Sequence, residues 1–81
     1  MHPCCMETAD LETLGNRIRE RRKALYLTQE ELAAKADIDR SYIGGVERGE
    51  RNVTFTTLCT ICTALKCDVA TLTQGLPGLL R

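Results

Sequence analysis

The chain has 81 residues, with 11 basic and 11 acidic side chains, so its formal charge at neutral pH is zero. That length allows one domain, and a domain so small buries only about 60% of the surface its unfolded chain exposes. With 43% hydrophobic and 4% aromatic residues, the core must be built from Leu, Ile, Val and Ala. No apolar run is long enough to span a bilayer and no secretory pattern opens the chain, so a cytoplasmic protein with no membrane partner is expected. No nucleophile–base pair, paired-carboxylate cleft or phosphate loop is visible, which argues against an enzyme and calls for no cofactor.

Hydrophobic periodicity gives helices and no convincing strand, hence an all-α fold. Residues 1–9 are expected to form a disordered N-terminal arm, 10–76 the folded domain and 77–81 a short C-terminal tail. A first helix is predicted from Asp10 or Thr13 to about Ala24, with Leu11, Leu14, Ile18 and Leu25 on its core face. It carries the basic run Arg17, Arg19, Arg21, Arg22 and Lys23.

The next stretch, residues 28 to 52, is the most informative. Thr28 and Glu31 have the spacing of a capping box, and Leu27 with Leu32 that of a hydrophobic staple. Leu32, Ala33 and Ala36 then give a second helix one narrow face of small residues. Asp37 stands in the turn, where its short polar side chain tolerates a left-handed backbone. Asp39 caps a third helix and Ile38 staples onto Ile43. Tyr42, Ile43 and Val46 form its buried stripe, whereas Arg40, Ser41, Gly44, Gly45 and Arg48 are expected to face outward. Gly49 stops it. Two short helices at a steep angle, the second with a polar outer face, are what a helix-turn-helix needs to lay one helix in the DNA major groove.

Beyond the motif, Thr54 caps a fourth helix stapled by Val53 and Leu58, with Phe55, Leu58, Ile61, Cys62 and Leu65 expected inward. A fifth begins at Asp68, with Leu72 at the staple position relative to Cys67. Gly75, Pro77 and Gly78 end regular structure. Leu76, Leu79 and Leu80 leave an apolar tail, which either joins Val69 and Leu72 in a dimer interface or is disordered.

Thr28-Gln29-Glu30-Glu31-Leu32-Ala33, Asp39-Arg40-Ser41-Tyr42-Ile43 and Val46-Glu47-Arg48-Gly49-Glu50-Arg51-Asn52 are the residues through which the chain resembles the phage-repressor-like (Xre-type) helix-turn-helix family. Within it, the small controller proteins of restriction-modification systems are most similar. Leu58, Ala64-Leu65 and Asp68-Val69-Ala70-Thr71-Leu72 continue the pattern, and the resemblance covers roughly Leu14 to Leu76. It implies a compact five-helix domain with the helix-turn-helix at helices two and three, acting as a homodimeric transcriptional regulator on a palindromic operator. It also implies an ion pair between Arg22 and Glu47; the alternative is that Arg22 reaches solvent or phosphate. Two departures stand out: Asp37 where the family usually has glycine, and Gly44 where relatives often offer a polar side chain to a base.

The expected contacts follow from side-chain chemistry. Arg40 suits a bidentate guanine contact, because its planar fork matches the O6 and N7 acceptors. Ser41 and Gly44 join it at the base edges, while Arg51 reads a base or holds phosphate. Gln29, Tyr42, Arg48 and Asn52 are expected at the phosphates, Gln29 at a helix N-terminus that favours anions. Gly44 and Gly45 each cost roughly 1 kcal/mol against alanine inside a helix. They either let the helix sink deep into the groove or permit close packing. The basic run of the first helix is a solvated face with i,i+4 pairs, part of the DNA footprint, or both.

Cys59, Cys62 and Cys67 invite a metal reading by their spacing, but Cys62 sits at a core position and His2, the only histidine, is remote. Buried cysteine acting as a small hydrophobe is the simpler expectation, with no metal bound. Cys4 and Cys5 are expected as exposed thiols in the mobile arm. No small-molecule effector site is apparent. Two other function classes remain open: an antitoxin or interaction module with secondary DNA binding, and a cysteine-based redox or metal sensor.

Overall fold

The computed structural model describes residues 4–78, with side chains from Ala9 onward. The thiols of Cys4 and Cys5, His2 and the Leu79-Leu80 tail lie outside the described residues. Five helices follow one another: α1 (Cys4–Ala24), α2 (Gln29–Ala36), α3 (Arg40–Glu47), α4 (Phe55–Ala64) and α5 (Val69–Thr73). No strand occurs among the described residues. No helix there is long and apolar enough to cross a membrane.

The first helix departs from expectation. It starts at Cys4, not at Asp10, so residues 4–9 are helical instead of a disordered arm. The sequence after Pro3 holds neither glycine nor proline until Gly15. It also places Glu7 close to the positive end of the helix dipole, which favours early initiation.

The four later helices begin as the sequence dictates. Thr28 Oγ1 accepts from the Glu31 N–H at 3.0 Å while Glu31 Oε1 accepts from the Thr28 N–H at 2.8 Å, a complete capping box. Asp39, Thr54 and Asp68 accept the N–H groups of Ser41, Thr57 and Thr71. Each staple pair places one residue in the core, Leu32, Ile43, Leu58 and Leu72, with Leu27, Ile38, Val53 and Cys67 half-buried outside them. At the helix exits Tyr26, Asp37 and Lys66 all take positive φ, at 60°, 57° and 58°. Asp37 is the turn residue predicted to tolerate that backbone.

The core joins Leu14 and Ile18 of α1 to Leu32 and Ala33 of α2, Ile43 and Val46 of α3, Leu58, Ile61 and Cys62 of α4, Leu65 and Leu72. α1 packs on α3 and α5, α2 on α3 and α4, and α4 on α5. Two expectations fail in this part of the molecule. Phe55 is 70% exposed rather than inward, because it occupies the first position of α4 and the inward turn belongs to Leu58. Leu72 is only 1% exposed, so this proposed interface residue is a core residue, drawn in by its own staple position. Val69 and Leu76 are half-buried against the core. Beyond Leu76 the chain turns back to α1, where the Gly78 N–H donates to Asp10 Oδ1 at 3.0 Å.

Within the basic run of α1, Lys23 stays exposed, whereas Arg17 and Arg21 are committed to helix ends inside the molecule. Arg21 donates to the carbonyls of Leu65 at 3.0 Å and Lys66 at 2.9 Å, closing the C-terminus of α4. Arg17 does the same for α5, donating to Leu72 at 3.1 Å and Gln74 at 2.6 Å. Helix ends leave carbonyls without partners and carry partial negative charge, so an arginine fork suits both needs.

Candidate nucleic-acid interface

The placement of α3 begins with two close approaches to α1. A Cβ on Gly15 would lie 2.5 Å from the Glu47 carbonyl oxygen and 2.8 Å from its carbon, and closer still to the Val46 oxygen. Only a residue without a side chain lets the helices cross there. Gly49, with φ of 77°, ends α3 against the backbone of Glu12, whose Cα would be 2.8 Å from an added Cβ. Sequence reasoning assigned Gly49 but missed Gly15. A lone glycine inside an otherwise helix-favouring run was the available signal.

A buried polar network then fixes the rotation of α3. Glu47, 1% exposed, accepts from Arg22 Nε at 2.7 Å and Arg22 Nη2 at 3.1 Å, a two-pronged pair. Gln29 Nε2 also donates to Glu47 at 3.0 Å, and Arg19 Nε approaches within 3.6 Å. Arg22 spends a further N–H on the Leu27 carbonyl at 2.8 Å, tying the α1–α2 turn to the same point. No described buried side-chain nitrogen or oxygen lacks a partner. Thus Gln29, expected at phosphate, is engaged inward from the start of α2, because Glu47 offers a stronger, charged acceptor.

The outer side of α3 presents a mixed set. Arg40 is exposed and lines an open notch with Arg22, Thr28, Gln29 and Glu30, between the N-termini of α2 and α3. Ser41 is exposed, yet its hydroxyl donates to the Asp39 carboxylate, which leaves the oxygen lone pairs for an outside donor. Arg48 is exposed and paired with Glu50 at 3.1 Å. Asn52 is exposed, and half-buried Tyr42 carries the Arg51 guanidinium over its ring, 5.3 Å from the centroid.

Gly44 and Gly45 differ from the outward, open positions expected of them. Both are buried. A Cβ on Gly44 would lie 3.2 Å from Arg48 Nη1 and 3.7 Å from Gln29 Oε1, while one on Gly45 would lie 2.9 Å from Arg51 Cγ. Their missing side chains let two arginines fold across the helix, so Gly44 is covered rather than offered to a base.

The cysteines stay apart from this surface. Cys62 is 3% exposed, and burial, reinforced by the neighbouring Cys67 thiol, pushes its own thiol up to about 12. It is a poor nucleophile and a fitting core residue. Among the described residues, no group of three His, Cys, Asp or Glu is placed to hold a metal ion.

Residues 18–72 match the family model described as helix-turn-helix. The control protein C.SmaI of Serratia marcescens is 45% identical over 67 residues, covering 80% of each chain. The restriction-modification controller protein C.AhdI of Aeromonas hydrophila has a solved structure with a TM-score of 0.78. It is 48% identical, covering 79% of this chain and 97% of its own. The controller protein C.Esp1396I, solved as a tetramer on its natural 35-base-pair operator, is 35% identical with a TM-score of 0.72, covering 76% of this chain and 82% of its own.

Proposed function

The chain belongs to the helix-turn-helix family, and from that premise we propose that it is a transcriptional regulator that binds duplex DNA sequence-specifically as a homodimer on a palindromic operator. Restriction-modification control is the nearest role, given the likeness to C.SmaI and C.AhdI. The carrying observation is the rigid display of α3: Gly15, Gly49 and the Arg22–Glu47 pair hold its inner side, leaving Arg40 and Ser41 exposed at its N-terminal end. In this fold class the N-terminal residues of the second helix of the motif reach the base edges.

Arg40 is assigned to guanine and Ser41 to a neighbouring base edge. Arg51 is assigned to a further base, and Arg48 and Asn52 to phosphates. Gln29 approaches phosphate through its backbone N–H at the start of α2, its side chain being held by Glu47. Tyr42 serves through the arginine stacked on it. The dimer forms through α4, α5 and the segment after α5, where Phe55 is exposed and Val69 and Leu76 keep part of their surface, while Leu72 is excluded by its burial. A dimer with recognition helices one DNA turn apart, about 34 Å, reads two half-sites. The protein acts in the cytoplasm, without catalytic activity or effector.

Selection of bound sequences from random duplexes at modest salt tests this reading. Enrichment of a symmetric site, with affinity falling steeply as salt rises, is the expected result. An unenriched pool would overturn it.

A further inference from the structure

The two glycines in the middle of α3 carry a helix-propensity cost that packing against α1 does not explain, since the atoms nearest their missing Cβ positions belong to Arg48, Gln29 and Arg51. At Gly45 the neighbour is the stem of Arg51, not its flexible end: Cγ would be 2.9 Å from an added Cβ, Nε 3.4 Å and Cδ 3.7 Å. Three consecutive atoms of one side chain therefore lie along the bare backbone. The head of the same side chain sits over the Tyr42 ring at 5.3 Å, within the range of a cation–π contact. Glu50 anchors the loop between them, its N–H donating to the Gly45 carbonyl at 2.9 Å.

We infer that Gly45 and Tyr42 are positioning residues that fix Arg51 in one rotamer across α3, making it a specificity-determining reader of a base edge rather than a mobile phosphate contact. The inference rests on the assignment of Arg51 to a base. An arginine on a free loop keeps its rotamer entropy and finds whichever phosphate is nearest. Laid along Gly45 and stacked on Tyr42, its planar fork is preorganised, so less entropy is lost when it forms two hydrogen bonds to guanine. Any Cβ at position 45 pushes the stem off the helix, and the head then leaves the ring.

The test compares the wild-type chain with Arg51→Ala, Gly45→Ala, Tyr42→Leu and Tyr42→Phe by selection on random duplexes. Arg51→Ala should erase preference at one symmetric pair of positions, a loss of roughly five- to hundredfold in discrimination there. Gly45→Ala and Tyr42→Leu should erase preference at the same positions, Tyr42→Phe should keep it, and Gly45→Ala should melt no lower than wild type. Full discrimination in Gly45→Ala and Tyr42→Leu overturns the inference. Should Arg51→Ala leave the selected site unchanged, the base assignment itself is wrong. The stack has a separate readout in free protein: upfield ring-current shifts of the Arg51 side-chain protons, present in wild type and Tyr42→Phe and lost in Gly45→Ala. Their absence in wild type also overturns the inference, independently of any DNA result.

Discussion

Arg22 and Glu47 are joined by two hydrogen bonds, at 2.7 and 3.1 Å, across the junction of α1 and α3. Both residues are buried, at 8% and 1% exposure. Removing one partner of such a pair strands the other charge, which costs about 3–5 kcal/mol. Glu47→Gln should therefore lower the free energy of unfolding by about 3 kcal/mol, measured by circular dichroism in urea. Burial by itself would raise the Glu47 carboxyl, but hydrogen bonds from Arg22 and Gln29 and the charges of Arg22 and Arg19 outweigh it and hold the group below its usual 4.5.

The sign of the pH dependence follows. A carboxyl lowered in the folded state contributes stability above its unfolded value, and loses that contribution as pH falls through the folded one. Thermal melts of the wild type should decline below about pH 4.5, and those of Glu47→Gln should decline less. An equal slope in both would assign the acid sensitivity to Asp39 and Asp68, whose carboxyls are lowered by hydrogen bonds from Ser41 and Thr71.

Arg21 closes the end of α4, so Arg21→Ala should cost stability and spare DNA affinity. Two charge-assisted bonds to helix carbonyls, partly replaced by water, are worth about 1–2 kcal/mol. The plot of log affinity against log salt should keep its slope. A slope shallower by about one unit would return Arg21 to the phosphates.

Tyr26 holds a φ of 60° with 92% of its surface exposed. It pays the steric cost of a left-handed residue without making a compensating contact. Tyr26→Gly should stabilise the fold by about 0.5–1 kcal/mol, a rise of roughly 2–8 °C in melting temperature. An unchanged or lower melting temperature would show that the extra chain entropy of glycine cancels the relief.

Arg40→Ala should lose about 1–3 kcal/mol on the selected site and relax the preference at one position of each half-site. Binding to random DNA should fall much less. Equal losses on both, measured by fluorescence anisotropy at fixed salt, would reduce Arg40 to a phosphate contact.

Much of this molecule was legible residue by residue because it repeats one local device. Thr28, Asp39, Thr54 and Asp68 cap their own helices, and the staples beside them act over a few residues, so no tertiary knowledge was needed to place those four starts. The start of α1 escaped because the sequence before Cys4 offers no Ser, Thr, Asp or Asn to mark a helix entry. The roles of Arg17 and Arg21 escaped for a different reason. Their acceptors lie 44 or more positions away in the chain, and periodicity carries no information at that separation. Gly44 and Gly45 were read as bare on a helical wheel, which shows the direction of a side chain but not what folds back over a missing one.

The capping forks of α1 have a consequence for assembly. The helix that seats α3 through Gly15 also grips the tails of α4 and α5, the helices assigned to subunit pairing. The proposed reading head and the proposed pairing surface are thus bolted to a single strut. An error in that strut would leave each subunit able to grasp its own stretch of duplex, but would throw the two grips out of phase with the helical repeat.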